Sequence, residues 1–303
     1  MISVVGEALV DLVIAPDGAV EAKLGGAPFN TARACGRLGT DVRFVGALSV
    51  DRFGSMLAEQ LVADGVDVAQ APRVDEPTTL AAAELDGSGA ATYHFYIEGT
   101  SAPRLDALAP EALAADVVFT GGLGLVLEPM ASAVESALAE TSDRFVMVDV
   151  NCRPKIVPDR DVYVGRVDRV LAAADVVKVS DEDLEFLRPD SDPLVAAAAL
   201  LDRGPSAVLV TRGGAGVHVL TGAGSTVVAV EPVDVVDTIG AGDSFGAGFL
   251  AWWVGAGLER EGAADLDRLV DAVRAANHVA GVVVTRRGAD PPWRHELPPD
   301  WSS

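Results

Sequence analysis

Short runs of consecutive apolar residues recur along this chain, separated by longer stretches in which apolar positions return every three or four residues. The runs at 2–5, 42–45, 117–120, 145–148, 176–179 and 207–211 are rich in valine and predict strands. Between them, the spacing at 29–38, 54–63, 129–140, 160–173 and 193–202 predicts amphipathic helices. Two shorter strands are expected around 216–220 and 226–230, then two long helices over 241–254 and 266–279. Strands with no polar face that alternate with helices imply a mainly parallel sheet covered on both sides, a three-layer α/β/α arrangement.

One region breaks the alternation. Residues 78–85 and 91–97 read as strands on either side of Asp86-Gly87-Ser88-Gly89, a strong hairpin signal, and a further extended piece lies at 18–24. These pieces predict a small sheet, drawn from about 13–24 and 76–101, projecting from the main domain. It reads either as an edge hairpin or as a lid over a cleft. No linker, repeat or low-complexity segment divides the 303 residues, so one domain over 1–303 is expected.

Composition narrows the function. The formal charge of −22 opposes binding to nucleic acid or to an anionic membrane surface. No apolar run approaches the length of a membrane-spanning helix, and the first residues lack a basic segment followed by an apolar core. Cys35 and Cys152 suit a reducing compartment, and a cytoplasmic protein is expected. Four scattered histidines give no zinc spacing.

The densest chemistry lies in Asp237-Thr238-Ile239-Gly240-Ala241-Gly242-Asp243-Ser244-Phe245, where a Gly-Ala-Gly run enters a helix. Backbone N–H groups there lack intrahelical partners and can converge on an anion at the positive end of the helix dipole. Asp243, in the first turn, is placed either to cap the helix or to take a proton from a hydroxyl attacking that anion. Upstream, Gly25-Gly26-Ala27-Pro28-Phe29-Asn30 follows Asp11; paired glycines allow close approach of a ligand, and Asn30 offers donors and an acceptor suited to a polyol.

These two segments, in order, resemble the D-T-x-G-A-G-D-[ST]-F and G-G-x-x-x-N-x-A signatures of the ribokinase-like (PfkB-type) carbohydrate kinases, and motifs in family order run from residue 2 to about 289. The resemblance implies a ribokinase-like fold and transfer of the ATP γ-phosphoryl group to a primary hydroxyl of a small sugar. It makes Asp243 the base and Gly240, Ala241 and Gly242 the anion hole, and assigns Asp11, Gly26 and Asn30 to the sugar. Asp149-x-Asn151-x-Arg153 is similar to a family segment near the reacting groups, with Arg153 as a phosphate or substrate contact or a surface ion pair. Lys178 and Ser180 are expected at the nucleotide. Ser180-x-x-Asp183 departs from the family's N-x-x-E, which organises Mg²⁺ through water; Asp183 keeps a shorter carboxylate, while an N-cap by Ser180 or Asp181 is the purely structural reading. Thr211, Gly213 and Gly216 match the nucleotide loop, and Asn277 the adenine contact. Asp237, Ile239 and Gly288 resemble the loop that holds K⁺ in the family.

The motifs are most similar to those of fructokinases. Leu9 and Ala27 depart from ribokinases. Kinases of 2-keto-3-deoxygluconate remain the nearest alternative, and Glu98, read as facing the sugar, is expected to repel such an acid. A Rossmann-type dehydrogenase lacks its glycine fingerprint after the first strand. A non-catalytic sugar or nucleotide sensor stays open. Family lids often pair into a homodimer, which Ala81, Ala83 and Leu85 would permit.

Overall fold

Successive residues of a buried strand point into different cores, and this chain fills both. Ile2, Val4, Phe145, Met147 and Leu209 face one apolar layer; Val5, Val146, Val148, Val208 and Val210 face the other. The computed structural model describes residues 1–86, 91–140 and 143–301. In chain order the first half holds β1 (Ile2–Val5), β2 (Leu9–Ile14), β3 (Val20–Gly25), α1 (Ala27–Arg37), β4 (Val42–Val45), β5 (Leu48–Ser49) and α2 (Arg52–Ala63). There follow β6 (Arg73–Val74), β7 (Leu80–Leu85), β8 (Ala91–Tyr96), β9 (Val117–Gly121), α3 (Met130–Leu138) and β10 (Phe145–Asp149). The second half has α4 (Arg160–Leu171), β11 (Val176–Ser180), α5 (Asp181–Leu187), α6 (Pro193–Leu201) and β12 (Ala207–Thr211). It closes with β13 (Val217–Thr221), β14 (Gly224–Val228), α7 (Ala241–Gly255) and α8 (Leu266–Val284).

The eight-stranded sheet runs β14-β13-β12-β11-β10-β9-β1-β4, parallel from β4 to β12 and antiparallel over its last two strands. Helices α1, α7 and α8 cover one face, and α3 to α6 the other. The three-layer architecture is therefore the expected one. A second sheet, β3-β2-β7-β8, stands beside it.

That second sheet corrects the sequence reading in one respect. Its central strand is β2, which pairs antiparallel with β3 and parallel with β7, and which carries Asp11. The sequence reading had placed no strand over Leu9–Ile14. The predicted hairpin strands are β7 and β8, antiparallel in register from Leu80–Tyr96 to Leu85–Ala91, while Gly87 to Gly89 of the turn lie outside the described residues. Of the three lid residues read as permitting a homodimer, Ala81 and Ala83 are buried within this chain and Leu85 is half-buried. The small β5-β6 pair was also unforeseen.

Helix starts separate structural from functional ends. Asp51, Asp159, Ser180, Asp192 and Asp265 cap α2, α4, α5, α6 and α8 through their side chains. The starts of α1 and α7 have glycine at the N-cap and no side-chain cap. Both border the same cleft.

Candidate active site

The cleft opens at the carboxyl ends of β1, β10 and β11, beneath the small sheet, with a volume of about 520 Å³. It brings together Asp11, Gly26, Asn30, Arg153, Lys178, Ile239, Gly240, Gly242 and Asp243 from five separate segments. Glu7, Tyr93, Phe95, Leu123, Asn151 and Lys155 complete much of its wall.

Two glycines shape it. Gly26 has φ 108°, and a Cβ there would sit 2.7 Å from the Glu7 carbonyl oxygen. Gly240 has φ 75°, and a Cβ there would overlap Ala289. Neither position accepts an L side chain without moving the backbone. Ala289 is held in turn by α1: Arg33 Nη1 donates to its carbonyl at 3.2 Å, and Asp64 binds Arg33 at 2.6 Å and Arg37 at 2.8 Å. Arg37 reaches Asp290 at 2.6 Å.

At the start of α7 the Ala241 amide donates to the Thr238 carbonyl at 3.2 Å, and the Ser244 amide to Gly240 at 2.9 Å. Ala241 has its amide engaged in the turn, whereas the Gly242 and Asp243 amides have no acceptor among the described residues. A Cβ on Gly242 would lie 3.3 Å from Lys178 Nζ, so the ammonium stands beside those amides. Lys178 also donates to Asp149 Oδ2 at 2.8 Å, an ion pair almost fully buried. Asp149 Oδ1 has no partner among the described residues.

Asp243 is buried, and Asn30 Nδ2 donates to its Oδ2 at 2.8 Å. Burial pushes the Asp243 carboxyl up to about 6; the Asn30 hydrogen bond opposes that, the Asp149 charge adds to it, and Lys178 and Arg153 oppose it. Burial likewise raises Asp11 to about 6, against the pull of Arg153. Such a carboxyl is ionised at neutral pH yet retains basicity, the property a general base needs. Arg153 Nη1 donates to the Asn151 carbonyl at 3.2 Å, to its Oδ1 at 2.5 Å and to the Cys152 carbonyl at 3.0 Å. It is no surface ion pair: it closes a turn in which Asn151 takes φ 39°, and it faces the cleft.

Other expected residues lie apart from this cleft wall. Thr211, Gly213 and Gly216 form the end of β12 and the turn into β13. Asn277, on α8, donates to the Ala229 carbonyl at 3.3 Å. Asp237, Ile239 and Gly288 do meet: Asp237 Oδ1 accepts from the Ile239 amide at 3.0 Å, and Oδ2 from the Gly288 amide at 2.8 Å.

Two further carboxylates have defined surroundings. Asp183 Oδ1 accepts from the Cys152 amide at 2.6 Å, and Oδ2 from Ser180 N and Oγ at 2.8 Å each. Ser180 Oγ in turn accepts the Asp183 amide, a reciprocal cap of α5. Asp183 is buried and braces the helix start and the 151–153 turn, and the cap by Ser180 is present. Glu98 is exposed and does not line the cleft in this structure.

Sequence reasoning missed Glu7, Tyr93 and Phe95. Alternation along β8 places Tyr93 and Phe95 on one face, their rings stacked at 6.3 Å. That signal was in the sequence, but not the pairing that turns the face towards the cleft.

A doubly covered α/β sheet, with a buried carboxyl and free amides at one helix start and polar groups suited to a polyol opposite, fits a small-molecule phosphotransferase. The profile of the pfkB family carbohydrate kinases matches residues 1–296, and the chain belongs to that family. It is 36% identical to a fructokinase of Rhizobium leguminosarum bv. trifolii over 259 residues, covering 83% of this chain and 79% of that one. The structure of a fructokinase with bound ATP from Xylella fastidiosa superposes with a TM-score of 0.87 at 29% identity, over 95% of this chain and 93% of that one. A fructokinase double mutant from Vibrio cholerae O395, in a form bound to fructose, ADP and potassium ion, gives 0.83 at 26% identity, over 95% and 93%. The chain is an ATP-dependent sugar kinase with a ribokinase-like fold.

Proposed function

We propose that the sugar is fructose and that Asp243 is the base that activates its hydroxyl. The observation that carries this reading is the Asn30–Asp243 hydrogen bond, which joins the polyol side of the cleft to the first turn of α7. The acceptor hydroxyl lies between Asp243 and the phosphoryl group, held by Asp11, the Gly26 turn and Asn30. Asp243 accepts its proton as the new O–P bond forms and the bond from the γ-phosphorus to ADP breaks, a contribution of about a hundred- to ten-thousandfold. The Gly242 and Asp243 amides and Lys178 stabilise charge on the phosphoryl oxygens; one such donor is worth about 3 kcal/mol. Arg153 holds its charge towards the same space.

The nucleotide extends over the turn at Thr211, Gly213 and Gly216 towards Asn277. Among the described residues no group of three potential ligands is placed to hold a metal. Mg²⁺ bound with the phosphates would neutralise their charge. The turn anchored by Asp237 is the proposed K⁺ site, in keeping with the potassium in the Vibrio cholerae fructokinase form. Among the described residues no helix is long and apolar enough to cross a membrane, and we place the enzyme in the cytoplasm, where ATP is supplied.

A second reading, a kinase of a sugar acid such as 2-keto-3-deoxygluconate, is favoured by Arg153 and Lys155 in the cleft wall. ADP release with Mg²⁺-ATP decides between them across fructose, tagatose, ribose, adenosine and 2-keto-3-deoxygluconate. The highest kcat/KM is expected for fructose; a preference for the acid replaces that assignment.

A further inference from the structure

Glu7 is the least explained group in the cleft. It follows β1, lies 2% exposed, and borders the cavity between Ala27 and Gly122. Its Oε1 accepts the Ala27 amide at 3.1 Å, so it braces the Gly26 turn from behind. Its Oε2 is buried and has no partner among the described residues. A buried carboxyl oxygen left without a partner costs more than most single contacts give back, so a ligand group is the natural complement.

We propose that Glu7 is a substrate-positioning group, its Oε2 pairing with a hydroxyl of the bound sugar while Oε1 fixes the turn that carries Gly26. This rests on the sugar-kinase reading of the cleft. The chemistry on either side of the sugar is then complementary. Asp11 and Asn30 Oδ1 offer acceptors, and Asn30 Oδ1 too is buried without a partner. Glu7 supplies a donor. Burial pushes its carboxyl up to about 8; the backbone hydrogen bonds and Arg153 oppose that, and the Asp243 charge adds to it. The group therefore holds its proton at pH 7. A neutral acid that accepts through one oxygen and donates through the other reads a hydroxyl and rejects an anion at that point.

The test pairs protein and substrate changes. Fructose and its mono-deoxy analogues, each lacking one hydroxyl other than the phosphate acceptor, are assayed with wild type, Glu7→Met and Glu7→Gln. Glu7→Met is expected to raise the sugar KM about tenfold, the loss of one hydrogen bond, with the ATP KM unchanged. Glu7→Gln, which keeps an acceptor and a donor, is expected to stay within about threefold of wild type. The Glu7→Met penalty is expected to vanish with one analogue and to persist with the rest. A penalty equal across all analogues, or one falling on ATP, overturns the inference and leaves Glu7 as a brace. If Glu7→Met does not fold, Glu7→Asp, whose shorter side chain withdraws from the sugar, takes its place in the same analogue series: a penalty confined to one hydroxyl supports the contact, and a penalty equal across all analogues overturns it. If wild type phosphorylates no sugar at all, the sugar-kinase reading fails first.

Discussion

Replacing Asp243 by asparagine is expected to abolish turnover and yet stabilise the fold. The carboxyl titrates near 6 in the folded protein against 3.8 for an ordinary aspartate, because burial disfavours its charge. Its folded value is raised, so this group's contribution to stability is fully present below the unfolded value and is lost as pH rises through about 6. At pH 8 the full penalty applies, about 3 kcal/mol for a shift of this size. An asparagine carries no charge and can still accept from Asn30. For a chain of this length about 3 kcal/mol corresponds to roughly 5 °C in Tm. Thermal unfolding of wild type and Asp243→Asn, at pH 8 and again at pH 4, measures the effect. The variant should melt higher at pH 8 and the two should converge at pH 4. A variant equal to or below wild type at pH 8 would refute the reasoning, and Asp243 would then be a stabilising cap.

Other outcomes follow from the same geometry. Asp11 and Asp243 both titrate near 6, so kcat/KM should rise with pH through that range with a logarithmic slope above one, and Asp11→Asn should reduce the slope to one. Gly240→Ala, which drives a methyl into Ala289 from φ 75°, should lower kcat at least about tenfold by displacing the anion-binding amides, as steady-state kinetics would show. Asp183→Ala removes the acceptor of the Cys152 and Ser180 donors, and urea denaturation should show a loss of about 1–3 kcal/mol. The Mg²⁺ concentration needed for half-maximal activity should stay unchanged in that variant; a large increase would restore Asp183 to the metal.

The main sheet was legible because its strands are buried on both faces and read as unbroken valine-rich runs. Strand β2 was not, because Asp11 interrupts its short apolar run and only the pairing with β3 and β7 makes it a strand. Helix α5 was legible only as a cap at Ser180, because its seven residues open with three acids. The anion turn, Asn30 and Asp11 were legible from spacing and resemblance together. The roles of Glu98 and Asp183 were not, since residue type alone does not say whether a carboxylate faces a ligand, solvent or a backbone amide. Glu7 could have been read as the acid next to the glycine that ends the first strand, where α/β sheets open their clefts.

The central claim is that Asp243 is the base in phosphoryl transfer from ATP to fructose. Its most direct measurement is phosphorylated fructose formed by wild type and by Asp243→Asn at pH 8, with saturating fructose and Mg²⁺-ATP. Wild type should accumulate sugar phosphate while the folded variant is slower by at least about a hundredfold. A variant that retains more than about a tenth of the wild-type rate would contradict the account, because general-base loss is larger than that.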